Sequence, residues 1–219
     1  MTEPQPDWIP PLSMRKFTVL FFFTGGLYLI PWYYRTLRTI GQHTSPPLKP
    51  WLRTVAIAAL PLSAVLLMFF YREYLAVGGI RNGLANLHQN FFWLGEAAVG
   101  LLLAVLGAMQ FFRLLHYDME RLREVSGGLI YLRDPAVKAV ELAFLWLCWA
   151  LPNPYRFIAL LSFVQLRPVQ VAVNQYLDNL DVHLPEETAF TLMEKIGVAL
   201  CSSALLWALG GAFIKAMED

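Results

Sequence analysis

Residues 15–38 read RKFTVLFFFTGGLYLIPWYYRTLR, an apolar stretch with basic residues at both ends. Its central part, 17–34, is just long enough for a helix that crosses a bilayer, which needs about 20 apolar residues. Gly25 and Gly26 interrupt it at the middle, where each glycine is worse than alanine in a helix by roughly 1 kcal/mol. Pro31 removes a backbone donor one turn before the end. The stretch is therefore predicted to be either a bent span or a re-entrant hairpin.

The composition is typical of a membrane protein. Hydrophobic residues make up 57% of the 219 residues and charged residues 15%, whereas soluble domains are roughly half apolar. The apolar residues are also gathered into long runs. We therefore predict an all-α, polytopic membrane protein with five or six apolar helical segments, of which one or two are hairpins or re-entrant. The net charge of +1 offers no basic stripe for phosphates, which argues against nucleic acid as a partner.

Breaks between the apolar runs divide this single membrane domain into segments. Residues 1–14 are predicted to be a disordered tail, because prolines are frequent there. The membrane segments predicted after 15–38 are 52–71, 91–115, 136–151, 155–166 and 192–214. Pro152 and Pro154 push their neighbours out of helical geometry, so 136–166 is predicted to be a helical hairpin. Its depth in the bilayer stays open.

Pro168 is predicted to begin an amphipathic helix over 168–181. Val169 and Val173 lie on one face of that helix, and Gln170 and Asn174 lie on the opposite face. The helix is expected either at the membrane interface or against a partner.

Small residues recur at intervals of four in two predicted spans. They are Gly100, Ala104 and Ala108 in one span and Ala204, Ala208 and Ala212 in the other. Such stripes let two helix backbones approach closely, so a packed pair of these two helices is predicted. Because alanine is common, a chance pattern is the alternative.

Basic residues predict the orientation, since Lys and Arg in short loops mark the cytoplasmic side. If residues 17–34 cross the membrane, 11 of the 17 basic residues share one side, and if they fold back at Gly25-Gly26, 13 do. The charge rule prefers the fold-back, although such short helices survive in lipid only where other protein covers them. In both cases the connectors 39–50 and 116–134 are cytoplasmic and the C-terminus faces out.

Two carboxylates in apolar runs are candidate sites. Glu96 lies inside the predicted span 91–115, where an ionisable residue is a functional candidate, although it could also snorkel to the outer interface. Glu141 follows Lys138 by three residues, so an ion pair on one helix face is favoured over a catalytic role. The stretch 116–134 is predicted to contain a solvated surface helix with Glu–Arg pairs.

No cofactor, metal or catalytic residue is predicted. The four histidines lie far apart, without the spacing of zinc ligands. Cys148 and Cys201 both lie in apolar runs, as expected of buried free thiols. Ser202 and Ser203 have no histidine in a predicted span to activate them.

Several blocks resemble those of a bacterial integral-membrane protein family of unknown function. They are RKF at 15–17, TGGLY at 24–28, WYYR at 32–35, then Pro50 and Arg53, and LRPVQVAVN at 166–174. The resemblance implies a bacterial membrane location and no particular activity. Pro31 departs from the family pattern, in which an aromatic or aliphatic residue is commoner at that position.

The leading hypothesis is a non-enzymatic, multi-pass inner-membrane protein that acts through contacts with the lipid bilayer, another membrane protein or a second copy of itself. The alternative is a small channel or transporter that uses Glu96 in a helix-lined cavity, since broken helices line the substrate sites of many transporters. A membrane enzyme ranks third, and it would require His116, Asp118, Asp134 and Glu141 to meet in one cleft.

Overall fold

A computed structural model of the chain describes residues 9–44, 49–76, 91–128, 134–148, 155–180 and 184–203. These residues form an all-helical fold. Its helices are α1 (Met14–Phe23), α2 (Leu29–His43), α3 (Pro50–Ala76), α4 (Phe91–Phe112), α5 (Met119–Val125), α6 (Pro135–Leu147), α7 (Ser162–Asp178) and α8 (192–203). A wide π-helical turn, Arg113–Asp118, joins α4 to α5, and a 3-10 helix, Tyr155–Leu161, leads into α7.

Residues 15–38 form most of α1 and the first part of α2, and the two helices fold back on each other. Gly25 and Gly26 have φ angles of 61° and 86°, in the left-handed region. Gly25 donates its N–H to the Phe22 carbonyl at 3.1 Å, and Gly26 donates to the Phe21 carbonyl at 2.7 Å. This pair of hydrogen bonds is the Schellman motif, which ends a helix. The glycines therefore end α1 and turn the chain back, so that 15–38 is not one bent helix.

Pro31 lies in the first turn of α2, not near the end of a longer helix. The first backbone N–H groups of a helix have no carbonyl partner within it, so a proline there removes no intrahelical hydrogen bond. This explains why Pro31 does not disrupt the helix that follows the glycines.

The predicted disordered tail differs from the structure over its described part, 9–14. Leu12 is 1% exposed and belongs to the core. Ser13 caps α1 by accepting a hydrogen bond from the Lys16 N–H at 3.2 Å. The Pro11 carbonyl accepts a hydrogen bond from the Glu187 N–H at 2.8 Å. Contacts with a distant part of the chain order this segment, and local composition gives no sign of them.

Two helical stretches are long and apolar enough to cross a membrane, Pro50–Phe70 in α3 and Gly95–Val125 through α4 and α5. α3 and α4 pack along each other. A Cβ added to Gly100 would lie 3.1 Å from Leu67 Cγ, and a Cβ added to Gly107 would lie 2.3 Å from Leu60 Cγ. Small residues on α4 thus allow the close approach of two backbones, as in membrane helix pairs.

The helix that packs on this small-residue face of α4 is therefore α3. The predicted partner of the stripe was the last span, whose Ala204, Ala208 and Ala212 lie outside the described residues. Gly100 and Ala104 are buried in the α4 packing, while Ala108 is half-buried. The closest approach is at Gly107, which does not belong to the four-residue repeat of Gly100, Ala104 and Ala108.

α7 differs from the prediction of two separate helices at 155–166 and 168–181. It runs from Ser162 to Asp178 with Pro168 in its interior. Leu166, Val169 and Val173 lie before and after that proline and are all buried in the same core. Their burial on one continuous face offsets the loss of one backbone hydrogen bond, which costs about 3 kcal/mol. The hairpin tip at Pro152 and Pro154 lies outside the described residues.

Candidate functional site

Lys16, the predicted membrane-flanking residue, lies inside the protein with its side chain 1% exposed. Its Nζ contacts Glu187 Oε1 and lies 2.8 Å from Glu194 Oε2. It also donates a hydrogen bond to the Ala189 carbonyl at 2.7 Å. A buried ammonium is tolerated only with such partners. We name this group of Lys16, Arg35, Glu187 and Glu194 the first ion cluster.

Arg35 completes the first ion cluster from α2. Its Nη1 donates to Glu187 Oε2, and its Nη2 donates to the Pro10 carbonyl at 2.5 Å. Burial alone would raise the pKa of Glu187, but the hydrogen bonds and charges of Lys16 and Arg35 outweigh it, and the pKa is lowered. Glu187 is therefore a carboxylate at neutral pH and binds one cation of each helix of the α1–α2 hairpin, Lys16 and Arg35.

A capping box places Glu194 at the start of α8. The Glu194 N–H donates to Thr191 Oγ1 at 3.2 Å, and Glu194 Oε2 accepts from the Thr191 N–H at 2.8 Å. This reciprocal pair satisfies two donors at a helix N-terminus. The same carboxylate reaches Lys16, so the start of α8 is connected to α1.

A second ion cluster joins α3 to the π-helical turn. The Arg53 guanidinium donates to the Asp118 carboxylate, and the two side chains are only 7% and 2% exposed. Arg53 also donates to Gln110 Oε1 at 3.2 Å and to the Tyr33 hydroxyl at 3.1 Å. Tyr33 in turn donates to the Gln110 carbonyl at 3.1 Å. The side chains of α2, α3 and α4 thus meet around one guanidinium.

A chain of amides connects α2, α7 and the N-terminal segment. The Trp32 indole N–H donates to Gln170 Oε1 at 2.7 Å. Gln170 Nε2 donates to Asn174 Oδ1 at 2.6 Å, and Asn174 Nδ2 donates to the Leu12 carbonyl at 2.8 Å. The predicted polar face of this helix is therefore partly internal, since Gln170 and Asn174 are both buried.

A groove lies beside the second ion cluster, between α4, the π-helical turn and α6. It encloses about 720 Å³, and its wall is mostly apolar, with Arg113, Asp118 and Arg121 at one end. A neighbouring polar cavity of about 720 Å³ shares Tyr117 and Arg121 with it. The groove is open and apolar and has Arg113 and Arg121 at one end. It can therefore accept a molecule with a hydrocarbon part and an anionic part.

Glu96 is half-buried in α4 and lines none of the cavities described above. It belongs to neither ion cluster. Glu141 accepts a hydrogen bond from Gln165 Nε2 across α6 and α7 and is exposed. It thus contacts α7 instead of forming the predicted ion pair with Lys138 on its own helix.

The charged stretch after α4 separates into surface and interior residues. Arg123 pairs with Glu120 at 3.1 Å on the exposed face of α5, the predicted helical spacing. Asp118 points inward and pairs with Arg53, whereas His116 and Asp134 line the polar cavity. The cleft that a membrane enzyme would require is not assembled from these residues. Among the described residues, no three His, Cys, Asp or Glu side chains come close enough to hold a metal ion.

Sequence reasoning missed both ion clusters and the amide chain. A weak signal existed for each cluster: Thr191-x-x-Glu194 is a capping-box pattern, and Arg53 is a lone cation near the start of an apolar run. Neither signal identifies the distant partner of the charged residue. In the first ion cluster, for example, Lys16 and Glu187 are 171 residues apart.

Comparison of the chain with protein-family models, with curated proteins and with solved structures finds no match in any of the three. The resemblance to a bacterial membrane family of unknown function therefore stays a prediction, and the site is interpreted from its own geometry.

Proposed function

We propose that the protein is a multi-pass protein of the bacterial inner membrane that acts through contacts with lipid, a membrane protein or a second copy of itself, and not by catalysis. The observation that carries this proposal is the apolar outer surface of α3, α4 and α6. Large apolar side chains that are more than 40% exposed occur along all three helices: Trp51, Leu52, Val55, Leu62, Val65, Phe69, Val99, Leu101, Leu102, Val105, Leu106, Met109, Val137, Val140 and Phe144.

Water would oppose such a surface. Soluble monomers rarely expose contiguous apolar patches larger than a few hundred Å², whereas in hydrocarbon an outward leucine costs nothing. Arg53, the one charged residue in Pro50–Phe70, is turned inward to Asp118. An apolar exterior with internally paired charge is the arrangement expected of helices in a bilayer.

The ion clusters support the proposed orientation. Because the α1–α2 hairpin brings Lys16 and Arg35 to one carboxylate, these cations lie at the same end of the hairpin. The second ion cluster links the start of α3 to the end of the α4 span. We assign the charged end of the hairpin and the second ion cluster to the cytoplasmic side, together with the connectors 39–50 and 116–134. The C-terminus is then outside.

Extraction and labelling test this proposal. Membranes that carry the full chain are washed at alkaline pH, and the chain is expected to stay with the lipid. After Cys148→Ser and Cys201→Ser, a cysteine is introduced by Val125→Cys in the cytoplasmic connector 116–134. In a second variant, Gly79→Cys introduces it in the connector 72–90, which is outside in the proposed orientation because the span 52–71 separates it from the cytoplasmic connector 39–50. An impermeant maleimide on intact cells is expected to label only the second variant. Release at alkaline pH, or labelling at residue 125 from outside, would overturn the proposal.

Glu96 supports a second candidate function, that of a small channel or transporter. The carboxylate is half-buried in α4, and from Gly95 to Phe112 it is the one charged residue. Proton flux into liposomes, lost in Glu96→Gln and retained in Glu141→Gln, would support transport. Equal flux in both variants, or none in the unmodified protein, would rule out a role for Glu96.

A further inference from the structure

The groove beside the second ion cluster has an apolar part and a cationic end. Val105, Ala108 and Met109 of α4 and Val140 of α6 line the apolar part. Val105, Met109 and Val140 are also among the more exposed apolar residues of the protein. The wall of the groove is thus continuous with the surface that the proposed function assigns to lipid. A hydrocarbon chain could enter it sideways from the bilayer without crossing a polar barrier.

Arg113, Tyr117 and Arg121 follow each other at intervals of four and line the cationic end. Both arginines are exposed. Within the described part of the chain, no carboxylate forms an ion pair with either of them. Asp118, the acid in the same wall, forms its ion pair with Arg53 and interacts with the charges of Arg113 and Arg121 without forming an ion pair with them. The cationic end therefore carries two charges that a bound anion could neutralise.

The polar cavity beyond Arg121 has the opposite character. Glu120, Glu124 and Asp134 line it, together with the basic residues His116, Arg121 and Arg123. Arg123 is paired with Glu120. From the apolar wall of the groove toward the polar cavity, the lining therefore changes from apolar side chains to two arginines and then to carboxylates.

We propose that this groove binds an aminophospholipid, phosphatidylethanolamine, with its phosphate between Arg113 and Arg121. One acyl chain lies along the apolar wall. The ammonium group reaches the carboxylates of the polar cavity, which include Glu124. Guanidinium groups bind phosphate through paired, charge-assisted hydrogen bonds, and basic pockets between membrane helices are a common form of lipid headgroup site. The inference rests on the proposed function, because it requires the groove to face a bilayer.

The test uses the full chain in nanodiscs, after alkaline extraction has shown that it is integral. Phosphatidylethanolamine and phosphatidylglycerol with identical acyl chains are supplied in equal amounts, and retained lipid is counted by native mass spectrometry. The unmodified chain is expected to retain mainly phosphatidylethanolamine. The double variant Arg113→Gln/Arg121→Gln should retain about tenfold less of it, the effect expected for losing hydrogen bonds between charged groups.

Two further variants separate lipid recognition from folding and from general charge. Arg38→Gln makes the same substitution at an exposed arginine of α2 that lines neither cavity, and it should retain lipid normally. Glu124→Gln should reduce the preference for phosphatidylethanolamine over phosphatidylglycerol. Thermal unfolding in detergent identifies any variant that fails to fold.

Three results would overturn the inference: equal retention of the two lipids by the unmodified chain, full retention by the double variant, or an equal loss in Arg38→Gln. If the chain resists alkaline extraction but shows one of these results, the lipid site is wrong and the proposed membrane function stands. If the chain is released at alkaline pH, the proposed function itself fails.

Discussion

Leu60 of α3 lies directly over Gly107 of α4, so that a Cβ added to the glycine would be 2.3 Å from Leu60 Cγ. No side chain fits there unless the helices separate or Leu60 changes rotamer. The two helices with the composition of membrane spans thus approach each other more closely here than at Gly100, where the added Cβ would lie 3.1 Å from Leu67 Cγ.

Gly107→Ala is expected to destabilise the protein by about 1–3 kcal/mol, the range for overpacking a tight contact. The better helix propensity of alanine, worth about 1 kcal/mol, should not compensate. Unfolding in detergent micelles measures the change. Gly95→Ala is the matched control on the same helix, because its added Cβ meets nothing within 4 Å, and it should stabilise slightly. Stabilisation by both variants would contradict the close contact.

Removal of one member of the Arg53–Asp118 pair is expected to cost about 3–5 kcal/mol, because the other charge is left buried without its partner. Arg53→Met and Asp118→Leu should each show this loss of unfolding free energy in detergent. The double variant should recover much of it, since neither charge then remains. A double variant as unstable as the sum of the two would show that the pair is not the reason for the loss.

Glu187→Gln is expected to lower the free energy of unfolding at pH 7 by about 1.5–3 kcal/mol through weaker hydrogen bonds from Lys16 and Arg35. The pKa of Glu187 is lowered by those partners. Its contribution is therefore complete above the unfolded value of about 4.3 and disappears as the pH falls through the folded value.

The measurement is thermal unfolding in detergent from pH 7 to pH 3. The unmodified protein should lose its advantage over the Glu187→Gln variant toward the acid end. Glu186→Gln alters an exposed neighbour and should leave the curve unchanged. A constant difference between Glu187→Gln and the unmodified protein at all pH values would contradict the assignment of the carboxylate.

Gln170→Leu is expected to destabilise the protein by about 1–3 kcal/mol, since it leaves the buried Trp32 N–H and the Asn174 Oδ1 without the partners they have in the structure. Gln175→Leu is the same substitution at an exposed position of α7 and should change stability by less than about 0.5 kcal/mol. Comparison of the two unfolding midpoints checks the prediction. Equal midpoints would mean that the amide chain contributes no net stability.

Local features of the sequence predicted an all-helical fold, and two of the five or six predicted apolar segments are long and apolar enough to cross a membrane. The glycine pair that ends α1, the start of α8 at 192 and the Arg123–Glu120 pair each depend on residues within one or two turns of each other. Short-range hydrogen bonds and side-chain spacing decide such features, and both can be read along the chain. The predictions for Pro31 and Pro168 were less accurate, because the effect of a proline depends on its place within a helix, which the rest of the fold decides.

The candidate site could be predicted only in part. Glu96 and Glu141 were singled out because isolated carboxylates are conspicuous in apolar runs, yet the charged residues that are buried in the described part of the chain are Lys16, Arg53 and Asp118. In the sequence, a charged residue at the edge of an apolar run looks the same whether its side chain reaches water or pairs with an internal partner.

By itself, the sequence determined that this chain is helical and that two of its helices are long and apolar enough to cross a bilayer, because composition and periodicity are properties of neighbouring residues. Only the tertiary structure decided which charges are internal, which face of α4 meets α3, and where Arg113 and Arg121 line one end of an apolar groove. These depend on residues far apart in the chain whose side chains meet only after the helices have packed, and no local pattern encodes that meeting.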